Sequence, residues 1–535
     1  MQRSVIAAAA TVAIAIVSPQ LSATVISWQG GTGGLTDANY TDGTNPNLTP
    51  TSADDLQIGS GGTASTSTAG LVFNRLRIAH NGTPAPTGQG TVTVNGGGTI
   101  TLGGASGSAN AGLQVGNTQN GTLNIDGAGS SVTVGRLILI GTANSQVGRN
   151  GTVNITNGGS LIALDGNIVL GESLNSTNGM QGYLNVNGSV TASGSGVDLN
   201  VGTRAAKSGV KMSGGTIDVS DVVEIGFSTG SSDGSFLEVS GGTLTHGGNF
   251  FVGRGNSINS TVTLSGGTIN TAGRFLVGGS SAAVTVTTGA TGNLVNHSGG
   301  TLNTTLDVRV GDASGSTSYT STYNLSGTGV INSTTGMIVG RQGTAVFNQT
   351  GGTNNLSALL SIGNKEALTN NTSGVYEISA GSLIVNATGD ALRLATNGTG
   401  EFRVVGDDAT IDLNGNFLAN STANGVGTLA FELESGDGLS LMDVSGTATF
   451  AAGSNLIFDT SLASPTQTAY DLLTAATITD NGLVLTAPAG WSHQIVSGGN
   501  GQILQVVVPE PSTLGLFAAT GLLALRRRRC AGNGD

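Results

Sequence analysis

A short unit recurs in this chain with a constant internal spacing. Each copy begins at the first glycine of a Gly-Gly-Thr triplet and ends at another glycine 12 residues later. Five copies keep this interval, at 214–226, 241–253, 266–278, 299–311 and 351–363. An interval held this constantly indicates one structural repeat rather than a chance recurrence of glycine.

Within each copy, apolar residues alternate with polar ones. A period of two is typical of a strand with one buried face. The two glycines supply the positive φ that a tight corner needs, and the threonine that follows suits a half-buried strand. Each unit therefore predicts three short strands and three corners. In the copy centred on 266–278, the residues predicted to face inward are Val262, Leu264, Ile269, Phe275 and Val277.

The closing glycines continue beyond these copies, at a mean interval of about 27 residues, which lies within the range of solenoid repeats. They are Gly116, Gly141, Gly171, Gly202, Gly226, Gly253, Gly278, Gly311, Gly340 and Gly363. Strands of successive coils would pair about 4.8 Å apart. The predicted fold is all-β, a right-handed parallel β-helix (a solenoid) with terminal caps. The interval varies after the closing glycine, which predicts loops on one side of the rod.

Composition agrees with a repeat protein and argues against several functions. The 535 residues include 90 glycines, and only 9% are charged, which is unusual for a globular domain. A net charge of −12 with scattered lysines argues against a nucleic-acid partner. The single cysteine, Cys530, allows no intramolecular disulfide, so stability must come from strand stacking.

The N-terminus has the features of an export signal. Arg3 precedes an apolar run from Val5 to Val17, and Ala23 follows at a plausible cleavage point. We interpret residues 1–23 as a signal peptide cleaved after Ala23, since the run is shorter than the about 20 residues that a spanning helix uses. An uncleaved anchor is the alternative.

The rest of the chain divides into four predicted regions. They are an N-terminal cap at 24–72, the repeat array at 73–400, a C-terminal β cap at 401–507 and a terminal signal at 508–535. In the first of these, Trp28 is followed by glycines and then by Asp54-Asp55-Leu56-Gln57-Ile58-Gly59. This segment resembles the opening of exported β-helix proteins, including autotransporter passengers. We expect Trp28 to cover the unpaired edge of the first coil, and sugar stacking is the alternative.

The C-terminus carries three features in order: Pro509-Glu510-Pro511, the apolar run Leu514–Leu525, and Arg526-Arg527-Arg528-Arg529. Together they resemble the PEP-CTERM sorting signal of Gram-negative bacteria. The resemblance implies that an exosortase, a membrane protease, recognises the Pro-Glu-Pro motif and cuts near it. The body would then reach the outer surface or the extracellular matrix.

The physical properties of this tail predict a transient anchor in the inner membrane. A helix over Ser512–Leu525 would span about 21 Å, less than the roughly 30 Å of a bilayer core, so the predicted transmembrane helix is short. The arginine cluster would keep the C-terminus in the cytoplasm.

No catalytic, cofactor-binding or metal-binding residue is predicted. His80, His246, His297 and His493 are dispersed and lack ligands at metal-binding spacing, so each is interpreted as structural. The adjacent carboxylate pairs are Asp54-Asp55 and Asp407-Asp408. We therefore predict a non-enzymatic surface or matrix protein with an exopolysaccharide partner. The alternative is a β-helix polysaccharide lyase or hydrolase, which needs carboxylates that converge across neighbouring coils.

Overall fold

The computed structural model describes residues 24–80, 88–103, 111–142, 149–172, 180–203, 207–228, 234–255, 257–279, 291–312, 320–364, 372–420, 425–463, 465–499 and 501–509. The N-terminal strands are β1 (Val25–Trp28), β2 (Thr32–Gly34), β3 (Tyr40–Thr41), β4 (Asp55–Ile58), β5 (Gly62–Thr66), β6 (Leu71–Phe73), β7 (Arg75–Ile78), β8 (Gly90–Val94) and β9 (Thr99–Leu102).

The strands of the middle part follow one another at regular intervals. They are β10 (Leu113–Val115), β11 (Gly121–Asp126), β12 (Ser131–Val134), β13 (Ile138–Ile140), β14 (Asn150–Thr156), β15 (Ser160–Ala163), β16 (Ile168–Leu170), β17 (Gln181–Val186), β18 (Ser189–Ala192), β19 (Leu199–Val201), β20 (Gly209–Met212), β21 (Thr216–Val219), β22 (Val223–Ser228), β23 (Phe236–Val239), β24 (Thr243–His246), β25 (Phe250–Gly255), β26 (Thr261–Thr271), β27 (Phe275–Gly279), β28 (Thr291–Thr304), β29 (Val308–Val310), β30 (Thr320–Leu325), β31 (Val330–Ser333), β32 (Met337–Val339), β33 (Thr344–Leu356) and β34 (Leu360–Ile362).

The C-terminal strands are longer, and some of them bend around a corner. They are β35 (Ser373–Leu394), β36 (Thr399–Ala419), β37 (Val426–Glu432), β38 (Met442–Phe450), β39 (Asn455–Asp459), β40 (Ala469–Asp480), β41 (Val484–Thr486), β42 (Ser492–Gly498) and β43 (Gly501–Val507).

Each coil contributes a strand to each of three parallel sheets. Sheet 1 contains β11, β14 and β17, sheet 2 contains β12, β15 and β18, and sheet 3 contains β13, β16 and β19, with their equivalents in other coils. The pairing is in register from coil to coil, as in Leu123 opposite Val153. The predicted parallel β-solenoid is confirmed, with about 14 turns. The handedness stays a prediction.

The core fills the space between the three sheets. The five residues predicted to face inward are all at most 2% exposed, which confirms the predicted alternation. Aromatic rings stack along the core: the ring centroids of Phe250 and Phe275 lie 4.8 Å apart, and those of Phe347 and Tyr376 lie 4.6 Å apart. Neighbouring coils are therefore joined by ring packing as well as by backbone hydrogen bonds.

The closing glycines form a column at the end of sheet 3. Gly141 has a φ of 70°, and its N–H donates to the Val115 carbonyl of the coil before at 2.8 Å. Ala395 and Asn420 occupy the same corner in later coils, with φ values of 61° and 55°. The corner thus requires the left-handed conformation, which glycine adopts at least cost. The loops predicted to follow this corner fall largely outside the described residues.

The two ends of the solenoid depart from parallel pairing. At the N-terminal end β1 pairs with β3 in antiparallel orientation, and Trp28 is 1% exposed. Its indole packs against Tyr40 in a T-shaped contact, with centroids 5.1 Å apart. Such burial leaves no indole face for a sugar, so it argues against the sugar-stacking alternative.

Parallel pairing continues into the region that the sequence assigns to the C-terminal cap. β37 pairs with β36, β39 with β37, and β41 with β39, all in parallel. The antiparallel strands β42 and β43 then close this end, with β43 paired to β40.

Candidate functional site: the outer faces and the C-terminal exit

The sorting motif begins where the folded body ends. The Val508 N–H donates to the Thr468 carbonyl at 2.9 Å, and the next residue, Pro509, is exposed beside Gly490. Proline has no N–H to extend the pairing of β43, so the strand cannot continue through it. Glu510, Pro511, Arg526–Arg529 and the predicted helix Leu514–Leu525 lie outside the described residues, as does Ala23.

The outer face of sheet 1 carries a ladder of asparagine side chains. The Asn154 amide donates to Asn124 Oδ1 at 2.8 Å, and the Asn185 amide donates to Asn154 Oδ1 at 2.8 Å. These side chains are half-buried. The sequence analysis does not predict this ladder. The sequence pattern that corresponds to the ladder is Thr122-Leu-Asn124. The same Thr-apolar-Asn pattern recurs from Thr152 to Asn154.

Sheet 2 carries a second ladder farther along the rod. The Asn303 amide donates to Asn270 Oδ1 at 2.9 Å, and the Asn332 amide donates to Asn303 Oδ1 at 2.9 Å. A shallow cavity of about 340 Å³ lies beside this ladder, next to Thr271 and Thr304. Two faces of the solenoid thus present amide and hydroxyl groups that repeat at the spacing between neighbouring strands.

Sheet 3 differs, because ion pairs run along its outer side. Asp307 accepts from Arg274 Nε at 2.7 Å and also pairs with Arg309, and Arg309 Nη1 lies 3.1 Å from Asp312 Oδ2. Arg341 of the next coil pairs with Asp312 as well. These pairs link successive coils, so their carboxylates are occupied by structural partners.

The predicted carboxylate pair Asp54-Asp55 is structural. Asp54 Oδ2 accepts from the backbone N–H and the hydroxyl of Thr51, at 2.7 and 2.8 Å. Asp55 lies 3.7 Å from both Arg75 and Arg77 on the next coil. Neither carboxylate is therefore positioned as a free acid or base.

One corner brings acidic groups of neighbouring coils together. Burial raises the pKa of the Asp198 carboxyl, and the charge of Asp221 raises it further. Asp198 accepts from the Asn167 amide at 3.1 Å and from the Val222 N–H at 3.2 Å. Glu224 follows Asp221 closely in the chain and pairs with Arg254. The sequence analysis does not predict this corner, because Asp198 and Asp221 belong to different coils and are far apart along the chain.

The histidines are not gathered at one site. His297 points into the core, where its Nδ1 accepts from the Tyr323 hydroxyl at 2.9 Å and its Nε2 donates to the Gly300 carbonyl at 3.1 Å. Burial lowers the pKa of His246 to about 4, and that of His80 to about 4. His493 contacts Asp480 at 3.0 Å on the surface.

Within the described part of the chain, no cluster of three or more potential metal ligands is present. The described residues also contain no helix long and apolar enough to cross a membrane.

Residues 507–529 match the family model of the PEP-CTERM protein-sorting motif. A search of curated proteins found none that matches this chain. The matched segment covers Pro509-Glu510-Pro511 and the arginine cluster, which confirms the resemblance drawn from those residues. Motifs of this kind are recognised by exosortases and mark proteins of Gram-negative bacteria for export and membrane-associated sorting.

The fold and the motif together define a class: an exported β-solenoid protein that is sorted through its C-terminus by an exosortase. The solenoid precedes the motif without a further described domain between them, since Val507 ends the last strand.

Proposed function

We propose that this protein is a non-enzymatic structural component of the cell surface or extracellular matrix, and that its rod binds exopolysaccharide in a biofilm. Exosortase would cut near Pro509-Glu510-Pro511 after a signal peptide ending at Ala23 has directed export. The helix before Arg526–Arg529 would hold the chain in the inner membrane until that cleavage. The relationship to autotransporter passengers stays a prediction.

The observation that carries this proposal is the composition of the two polar faces. Ladders such as Asn124–Asn154–Asn185 leave carbonyl and amide groups along a rigid, regularly spaced surface. Such groups can exchange hydrogen bonds with sugar hydroxyls over several coils. Many weak contacts along one rod favour retention of a long polymer, because each contact raises the effective concentration for the next.

The second candidate function is a polysaccharide lyase or hydrolase, and the corner at Asp198 favours it. A carboxyl with a raised pKa beside another acid could serve as a general acid. Asp198 already accepts two hydrogen bonds, however, and Glu224 is held by Arg254. These contacts support the structural interpretation of the corner.

Cell fractionation tests the structural function. In a biofilm, the mature protein should be extracted with the matrix, and in a strain that makes no exopolysaccharide it should appear in the medium instead. Retention of the protein in the inner membrane of both strains would contradict the proposal.

Catalysis is tested with the exported protein purified from its own bacterium and incubated with that bacterium's exopolysaccharide. Under the proposed function, the size distribution of the polymer should not change. Depolymerisation that is lost in Asp198→Asn and kept in Asp218→Asn, an exposed carboxylate on sheet 2, would establish the enzyme instead.

A further inference from the structure

Two aromatic rings stand on the outer face of sheet 1. Tyr183 of β17 and Phe236 of β23 are separated by one strand, and the residue in register between them is Gly209. Their ring centroids lie 6.3 Å apart, with the planes inclined at 41°. Both side chains are half-buried, whereas most described aromatic residues belong to the core.

The absence of a side chain at Gly209 creates the space that Phe236 occupies. A Cβ at this position would overlap the Phe236 ring. The ring therefore lies over the backbone of β20, and the two aromatic residues form a platform across three coils. Within the described residues, these are the aromatic side chains on the outer faces of sheets 1 and 2.

The surroundings of the platform are polar but electrically balanced. Lys211 Nζ lies 2.9 Å from Glu238 Oε2, and both side chains are about half exposed, at 54% and 47%. The same Nζ lies 5.4 Å from the centroid of Phe236. Asn185, a member of the sheet 1 ladder, is on the same strand as Tyr183.

We propose that Tyr183 and Phe236 bind a pyranose ring of a neutral polysaccharide, which the asparagine ladder then holds along the rod. The C–H face of a pyranose is apolar and packs on an aromatic ring, while its equatorial hydroxyls need donors and acceptors at the side. Asn185 and the Lys211–Glu238 pair supply these groups. This inference rests on the proposed function and names the chemical class of its ligand.

Charge excludes an anionic polymer as the preferred ligand. The one lysine at the platform is paired with Glu238, and the chain has a net charge of −12. A polyanion would be repelled by the body as a whole, most strongly at low ionic strength. A neutral polymer is not repelled by this charge.

A purely structural role for the rings makes a different prediction. Aromatic side chains often cover a glycine in a neighbouring strand, which stabilises the sheet by shielding its backbone. Leucine would also cover Gly209, but it offers no aromatic face. Substitution by leucine therefore separates the two roles.

Affinity electrophoresis of the exported protein tests the proposal, with galactomannan and a soluble β-glucan as neutral probes and alginate as the anionic probe. At least one neutral polymer should retard the protein. Tyr183→Leu and Phe236→Leu should each weaken this binding about tenfold, the effect expected from loss of one aromatic contact. Gln114→Leu, on the outer face of sheet 3, is the control and should bind normally. All variants should unfold at the temperature of the wild type.

Three outcomes would overturn the inference: no retardation by either neutral polymer, retardation by alginate alone, or wild-type binding in both leucine variants. The proposed structural function has its own readout, which is extraction with the matrix. A protein that fractionates with the matrix but binds neither neutral probe would lose only this inference, whereas a protein that never reaches the matrix would lose the proposed function.

Discussion

The Asn154 side-chain amide donates a 2.8 Å hydrogen bond to the Asn124 side chain of the preceding coil. The same residue accepts an equivalent bond from Asn185 of the next coil. Asn154 therefore acts as donor in one direction along the rod and as acceptor in the other. Because the amides polarise one another, such a row stabilises the stacking of coils in addition to the backbone ladder.

Replacement of Asn154 by alanine should loosen the stack locally. The substitution removes two hydrogen bonds from half-buried partners, which is expected to cost about 1–2 kcal/mol. Hydrogen exchange should become faster in β11, β14 and β17, because repeat proteins lose stability near the altered repeat. Thr152→Ala, on the same strand outside the ladder, should leave exchange unchanged. Equal exchange rates in the two variants would show that the row of asparagine amides does not stabilise the stacking of coils.

The column of closing glycines permits a comparison between glycine and alanine at equivalent corners. In Gly141→Ala, the new Cβ would overlap the Gln181 carbonyl, at a φ of 70°. We expect a loss of at least about 1–2 kcal/mol from this strain. Ala395→Gly is the matched control, since alanine already occupies that corner at a φ of 61°. Chemical denaturation of both variants measures the difference, and similar midpoints would contradict the expected clash.

The repeat made much of the fold predictable from sequence. The constant 12-residue interval specified three strands and three corners, and the alternation around Phe275 identified the buried face. Register between coils was not predictable in the same way, because the interval after the closing glycine varies. Without register, the contact of Asn124 with Asn154 cannot be distinguished from an ordinary turn or surface asparagine. The pairing of Asp307 with Arg274 of the preceding coil was not predictable for the same reason.

The candidate site was predictable only at the C-terminus. Pro509-Glu510-Pro511 is a contiguous motif, so its identification needed no tertiary structure. The platform of Tyr183 and Phe236 depends on residues 53 positions apart that meet through the register with Gly209. Nothing in the local sequence of either aromatic residue indicates that the other is nearby.

A charged side chain in place of Phe275 should destabilise the core. Phe275→Asp would place a carboxylate against Phe250 and Tyr323, where no counterion replaces its hydration. We expect the rod to open around β27 and to be cut there by a protease at low concentration. Phe275→Leu keeps an apolar side chain and should resist cleavage far better. Comparable resistance of the aspartate variant would contradict the assignment of this face to the core.

Acid should destabilise the coils around His246. Burial lowers its pKa from 6.5 to about 4 in the folded chain, so the unfolded chain binds more protons between these values. The contribution of the neutral histidine is therefore complete above about pH 6.5 and is lost as the pH falls toward 4. Urea midpoints should fall more steeply between pH 7 and 5 for the wild type than for His246→Thr, which introduces the residue found at Thr271 one coil later. If the urea midpoints of both proteins fall equally with pH, protonation of His246 does not contribute to the loss of stability in acid.

The C-terminal motif should control release of the protein from the membrane. Pro509 is exposed and directly follows Val508, whose N–H donates to the Thr468 carbonyl. A protease can reach such a segment without unfolding the solenoid, because Pro509 cannot pair with the neighbouring strand. Alanine substitution of Pro509, Glu510 and Pro511 should therefore leave an uncleaved precursor in the inner membrane.

Mass spectrometry of the surface-associated protein gives the decisive measurement. The wild-type chain should end near the Pro-Glu-Pro motif, while Pro465→Ala, a proline substitution outside the motif, should be processed normally. Loss of the four arginines at 526–529 should have a different effect, because the positive cluster opposes passage of the C-terminus through the membrane. Intact precursor should then leave the membrane uncut. A wild-type surface protein that still ends at Asp535 would show that cleavage does not occur and that another step carries the body outward.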